Sequence, residues 1–205
     1  MVSKKVYQVA LVEDDPATRE RLKIAVEQHA EFNVVATAAN CHEGREIIKT
    51  HQLDVLLVDL GLPDGHGTEL IQLAQSKSPA TEIMVITVFG DEKNVLTAIE
   101  AGATGYLLKD GDANYIGESI KQMLDGGSPI SASIARHLLK RFKAASEQAV
   151  NDADMPRLTK REKEVLALVT KGFSYAEIST TLGMSVNTVT SHIKHIYRKL
   201  NVNSR

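Results

Sequence analysis

Five short apolar runs punctuate the first 128 residues, at Tyr7–Val12, Phe32–Ala36, Leu53–Val58, Glu82–Thr87 and Gly105–Leu108. They are apolar on both faces, the pattern of parallel strands covered by helices on each side. Between them lie amphipathic stretches of helical length at Ala17–Gln28, Glu43–Thr50, Thr68–Gln75, Glu92–Ala101 and Asn114–Leu124. A parallel strand is re-entered from the same end, so each run needs a crossover, and a helix supplies it. Five such units predict a doubly wound α/β domain over 1–128. Asp15-Pro16 offers an N-cap followed by the first helical residue. Gly102, Gly126 and Gly127 read as helix stops.

The pattern changes at Pro129. Ile134, Leu138, Leu139 and Phe142 are spaced for one amphipathic helix, which decays into the small, polar stretch AASEQAVNDADMP. Residues 129–155 therefore read as a linker helix and a flexible linker. Residues 156–205 are helical by pattern. Thr159 with Glu162, and Ser174 with Glu177, have the spacing of capping boxes. Gly172 closes one helix. Leu182-Gly183-Met184-Ser185 is a short turn with Ser185 as the next N-cap. Two helices around a tight Gly-containing turn make a helix-turn-helix.

Charge divides the same way. Residues 1–128 carry 11 Lys+Arg against 20 Asp+Glu, whereas 156–205 carry 9 against 3, within a net charge of −2. An acidic front and a basic tail imply different partners, the tail a polyanion. No apolar run is long enough to span a membrane, and no signal peptide is evident at MVSKKVYQV. Cys41 is the only cysteine, which fits a reducing, cytoplasmic setting.

In a parallel sheet the carboxyl ends of the strands share one edge, where ligands bind. The runs end in Glu13-Asp14-Asp15, Asp59, Thr87 and Lys109. Clustered carboxylates repel, and a hard dication such as Mg²⁺ resolves the repulsion at ~2.0–2.1 Å. A carboxylate beside a metal can act as a nucleophile toward phosphorus, with the metal and Lys109 neutralising phosphoryl charge and Thr87 donating a hydrogen bond. Asp15 reads either as a further acid of the pocket or as a cap. His66 reads as a solvent-facing turn residue.

LVEDDP, VDLGLPDGHG, VITVFG and GATGYLLKD together resemble the receiver domain of bacterial two-component response regulators. The resemblance implies a flavodoxin-like sheet of order 2-1-3-4-5, with Asp59 as the phospho-acceptor. It implies that Asp14, Asp59 and the Gly61 carbonyl hold Mg²⁺, with Glu13 nearby through water. Lys109 would pair with the phosphate, and Thr87 and Tyr106 would form a switch pair. The family often has Lys-Pro with a cis bond at the last strand. Here it is Lys109-Asp110, where a cis bond would cost about 3–4 kcal/mol.

Within 186–200, Val189, Ile193, Ile196 and Leu200 form one apolar stripe, and Asn187, Ser191, Lys194, His195 and Arg198 fall opposite it. That polar face holds cations and no acid, which suits the major groove. The stretch LTKREKEVLALVTKGFSYAEISTTLGMSVNTVTSHIKHIYRKLNV, 158–202, resembles the LuxR-type helix-turn-helix of NarL/FixJ response regulators. By family position Thr190, Ser191 and Lys194 would face bases or nearby phosphates, and Thr188, Lys171 and Lys199 the DNA backbone. Lys is common in the family where Thr190 stands, so one contact fewer is expected. The family continues beyond the equivalent of Arg205 into a fourth helix with dimer contacts.

The two resemblances together imply a transcription factor controlled by phosphorylation. The implied partners are a sensor histidine kinase, double-stranded DNA, a second copy of the chain in the active state, and RNA polymerase. It would be no enzyme beyond Mg²⁺-dependent self-phosphorylation and self-dephosphorylation at Asp59. Two rival readings exist. An Asp-nucleophile phosphatase shares the acid, hydroxyl and lysine set, but needs a second Asp two residues after the nucleophile, where Gly61 stands. A DNA-binding protein indifferent to phosphate would not require the intact set.

Overall fold

The computed structural model describes residues 5–109, 115–136, 138–139 and 158–202. Among the described residues seven strands form: β1 (Tyr7–Val12), β2 (Phe32–Ala38), β3 (Val55–Val58), β4 (Gly61–Leu62), β5 (Gly65–His66), β6 (Glu82–Thr87) and β7 (Gly105–Leu108). Five build one parallel sheet in the order β2-β1-β3-β6-β7. This is the flavodoxin-like 2-1-3-4-5 arrangement, with β4 and β5 standing apart as a small antiparallel hairpin. The stretch after Asp59, a turn by its Gly and Pro content, is thus a paired hairpin. Its signal is Pro63-Asp64-Gly65, a turn tripeptide between Leu62 and the paired Gly65.

Helices α1 (Pro16–Glu27), α2 (Cys41–Thr50), α3 (Thr68–Lys77), α4 (Glu92–Ala101) and α5 (Ile116–Leu124) connect the strands. All four residues of β3 are buried, because α1 and α5 cover one face of the sheet and α2, α3 and α4 the other. Leu57 shares one buried cluster with Leu22, Val26 and Ile120, while Leu56 and Val58 share the other with Leu70, Ile71 and Ile99. Each such aliphatic side chain contributes about 1.5–3 kcal/mol by leaving water.

Helix starts follow local chemistry. Asp15 is an N-cap: its Oδ2 accepts the Thr18 N–H at 2.6 Å, and Pro16 follows. That resolves the two readings of Asp15 in favour of the cap. Asn40 caps α2 two residues earlier than the periodicity suggested. Gly102 and Gly126 stop their helices with φ of 118° and 90°. Gly127 is different: a Cβ there would lie 2.8 Å from the Gln122 carbonyl oxygen and from the Thr190 methyl. It is a close-approach glycine rather than a left-handed stop.

After α5 the chain returns beside the sheet. Tyr106 donates its N–H to the Pro129 carbonyl at 2.9 Å, and Ile130 forms a single parallel bridge with Tyr106. A helical turn over 132–136 follows, burying Ile134 and Ala135. Asp110, Phe142 and the stretch expected from the sequence to be a linker lie outside the described residues.

The tail holds α6 (Lys160–Val169), α7 (Tyr175–Leu182) and α8 (Val186–Val202). Both capping boxes form. Gly183 takes the left-handed position at φ 62°, and Ser185 Oγ accepts the Thr188 N–H at 3.1 Å. Val189, Ile193 and Ile196 are fully buried, as the stripe predicts, and Tyr197 joins them. Helix α8 also packs against α4, so tail and front share one apolar core. Tyr175 donates its hydroxyl to the Ser128 carbonyl at 2.8 Å, and Lys194 Nζ stands 3.8 Å from Glu82 Oε1.

Candidate functional site

Sheet register assembles the acidic pocket. Val12 pairs with Val58, so the next residues, Glu13 and Asp59, emerge side by side. Thr87 pairs with Leu108, so Lys109 follows directly beyond it. The Asp59 N–H donates to the Val12 carbonyl at 2.9 Å, and the Lys109 N–H to the Thr87 carbonyl at 2.9 Å, extending the ladder to the pocket floor.

The side chains meet there. Lys109 Nζ lies 2.6 Å from Asp59 Oδ2 and 2.8 Å from Glu13 Oε1. Asp59 Oδ1 accepts the Leu60 N–H at 2.6 Å, which fixes the carboxylate's rotation. Glu13 and Asp59 are 1% and 4% exposed, while Asp14 faces solvent. Burial pushes the Glu13 carboxyl up, although the Lys109 hydrogen bond pulls the other way. Burial pulls the Lys109 ammonium down, but its hydrogen bonds to Asp59 and Glu13 outweigh that and raise it. The ammonium thus stays charged between two carboxylates.

Glu13, Asp14 and Asp59 each offer a carboxylate oxygen, all within 4.8 Å of one another. Two of the three are buried and one lysine faces them, so the pocket is net negative. An all-oxygen acidic donor set with one open side suits a small hard dication that keeps several waters. Arg19 braces the rim by donating to the Glu13 and Asp14 carbonyls at 2.5 and 3.2 Å.

Phe89 links the pocket to Tyr106, and the sequence reading passed over it. Its N–H donates to Thr87 Oγ1 at 3.4 Å, and its carbonyl accepts the Tyr106 hydroxyl at 2.7 Å. Its ring lies over Gly61, where a Cβ would sit 2.8 Å from the ring. The available signal was an aromatic two residues past a strand-end threonine, in VITVFG. Thr87 and Tyr106 are both fully buried, and burial raises the Tyr106 hydroxyl strongly. His66 is half-buried and its Nδ1 lies 2.9 Å from Thr68 Oγ1. Cys41 is buried with its thiol pushed up to about 11, chiefly by burial, so it is not a thiolate at neutral pH.

The tail's candidate contacts divide into two sets. Lys171, Thr188, Ser191, His195 and Arg198 are exposed. Thr190, at 7% exposure, faces Gly127, and Lys194 leans toward Glu82. Lys199 Nζ is held 2.6 Å from Glu162 Oε2, inside the tail. It reaches a phosphate only by leaving that partner.

Among the described residues no helix is long and apolar enough to cross a membrane. Residues 9–121 match the family model of the response regulator receiver domain, and 156–205 that of the luxR family of bacterial regulatory proteins. The chain is 30% identical to the transcriptional regulatory protein DegU of Brevibacillus brevis, over 100% of this chain and 92% of that protein. It is 29% identical to the nitrate/nitrite response regulator NarL of Escherichia coli K12, over 100% and 94%. A solved structure of RcsB from Salmonella enterica, bound to a promoter in the presence of a phosphomimetic, superposes with a TM-score of 0.56 at 25% identity, covering 96% of this chain and 93% of that one. A receiver with its acidic edge assembled, joined to a LuxR-type helix-turn-helix, makes this chain a transcriptional response regulator of the two-component family.

Proposed function

We propose that Asp59 is the phospho-acceptor and that its phosphorylation releases the DNA-binding tail. Lys109 carries the reading: one ammonium bridges Asp59 and Glu13, 50 and 96 residues away in sequence. The Asp59 carboxylate attacks phosphorus on a phosphohistidine of a sensor histidine kinase, or on a small donor such as acetyl phosphate. An O–P bond forms at Asp59 as the donor's bond to phosphorus breaks. Asp14, Asp59 and the Gly61 carbonyl would hold Mg²⁺ directly, with Glu13 through water. When bound, the ion supplies charge neutralisation at the phosphoryl oxygens. Lys109 exchanges its bond to Asp59 for one to a phosphoryl oxygen, and the Thr87 hydroxyl donates another.

Moving Thr87 toward that group disturbs Phe89, because Thr87 accepts its N–H. Phe89 in turn accepts the Tyr106 hydroxyl. Tyr106 belongs to the same apolar cluster as Tyr197 of α8. The phosphoryl group therefore acts on the surface that grips the tail, which is the differential interaction a population shift requires. Release frees Thr190 and Lys194, which with Ser191 would meet bases or nearby phosphates. His195 and Arg198 lie on the same face, and Thr188, Lys171 and Lys199 would meet the backbone. Two released tails on a homodimer would read two half-sites. RNA polymerase is then the downstream partner, and the cytoplasm the setting.

The test is intact-mass spectrometry of the chain after acetyl phosphate and MgCl₂. A single phosphoryl adduct on the Asp59 peptide is expected, absent from Asp59→Ala. An adduct that survives Asp59→Ala overturns the assignment. In gel shifts on genomic fragments, donor-dependent binding is expected for the wild type and not for Asp59→Asn.

A further inference from the structure

Asp64 sits at the tip of the β4–β5 hairpin, five residues after Asp59, yet its carboxylate bonds outside the hairpin. Oδ1 accepts the Cys41 N–H at 2.6 Å and Oδ2 accepts the His42 N–H at 2.9 Å. These are the first two residues of α2, whose amides have no acceptor within the helix. The N-cap Asn40 does not serve them, because its Oδ1 takes the Glu43 N–H at 2.8 Å. The Cys41 N–H holds the Asp64 carboxyl below its usual range, so the clamp is an ionised carboxylate at the positive end of a helix.

The base of the same hairpin is tied to Asp59. The Gly61 N–H approaches Asp59 Oδ1 at 3.4 Å, and Gly61 pairs with His66 across the hairpin. The Gly67 N–H donates to the Leu60 carbonyl at 2.9 Å, and a Cβ on Gly67 would lie 2.0 Å from the Asp59 carbonyl oxygen. The hairpin is thus tied at its base to the Asp59 carboxylate and the Leu60 carbonyl, and at its tip to α2. Beyond the clamp, Cys41 Sγ packs where a Gly65 Cβ would stand, 3.1 Å away.

We infer that Asp64 is a positioning residue for the metal site. By fastening the hairpin tip to α2, it holds the Gly61 carbonyl in register with Asp59 and the acids after β1. The inference rests on the Mg²⁺ site proposed above. Groups that orient metal ligands from outside are worth about 10–100-fold in affinity.

The test titrates the full chain with MgCl₂ by calorimetry, for the wild type, Asp64→Asn, Asp64→Ala and Asp14→Asn. Melting temperatures are read in EDTA. Asp64→Asn and Asp64→Ala are expected to weaken Mg²⁺ binding about tenfold. The acetyl phosphate labelling rate should recover at saturating Mg²⁺, so the half-saturating concentration moves and the maximum does not. Amide exchange of 60–67 without metal should rise in both. A lowered melting temperature with unchanged Mg²⁺ affinity would mean that Asp64 only stabilises the fold, and would overturn the proposal. If Asp64→Ala does not fold, Asp64→Asn alone decides by the same criterion. Undiminished binding in Asp14→Asn would instead show that the metal site itself is wrong, a distinct failure that takes this proposal with it.

Discussion

The methyl group of Thr190 rests on Gly127 so closely that a single added carbon on Gly127 would lie 2.8 Å from it. A residue proposed to meet DNA thus seals against the end of the receiver. Gly127→Ala must displace both Thr190 and Gln122, an overpacking cost of about 1–3 kcal/mol. Faster amide exchange in 186–199, with the strands unaffected, is the expected result. Unchanged protection would mean that this contact does not hold the tail.

Tyr197 gives the opposite prediction. Its hydroxyl is buried without a hydrogen-bond partner among the described groups, and burial pushes it well up. Such an orphan costs about 1–3 kcal/mol, a penalty relieved when α8 leaves the receiver and water reaches the ring. Tyr197→Phe should therefore raise the melting temperature and reduce DNA binding without phosphodonor. Stronger basal binding would count against the closed state as described.

Lys109 screens two buried acids from each other. In Lys109→Met, Glu13 and Asp59 face each other without a cation. The melting temperature should fall more in EDTA than in excess MgCl₂, because a dication replaces the missing charge. Equal losses in both buffers would argue that the pocket does not take a metal.

Glu162 supplies a pH dependence. Burial pushes its carboxyl up, but hydrogen bonds from Lys199 and from the Thr159 N–H outweigh that, and the net shift is downward from 4.5. A depressed folded value adds stability above about pH 4.5, and that increment is lost as the pH falls through the folded value. Glu162→Gln should cost about 1.5–3 kcal/mol at neutral pH and flatten the acid limb of the stability curve. Thermal melts from pH 3 to 7, about the window where carboxylates titrate, measure both.

Much of this was legible in the chain itself. Val55–Val58 reads as a central strand, because a short β-branched and aliphatic run ahead of a Gly/Pro-rich turn is covered on both faces in a parallel sheet. Once the strands are parallel, Glu13, Asp59, Thr87 and Lys109 must share an edge. The docking of the tail was not legible. A polar linker sets reach rather than orientation, and Thr190 follows the stripe residue Val189, so periodicity alone does not say that the receiver covers it. Phe89 and Asp64 escaped for a similar reason. Asp64 acts through the start of α2, and Phe89 through Gly61 and Tyr106 as well as its neighbour Thr87, so the local spacing in VITVFG carries only part of the role of Phe89 and nothing local carries that of Asp64.

Amide hydrogen exchange across 186–199, before and after acetyl phosphate and MgCl₂, reports whether phosphorylation of Asp59 frees α8 from the receiver. Faster exchange is expected in the phosphorylated wild type, with no change in Asp59→Asn under the same treatment. An Asp59 adduct that forms while α8 stays as protected as before would contradict that release.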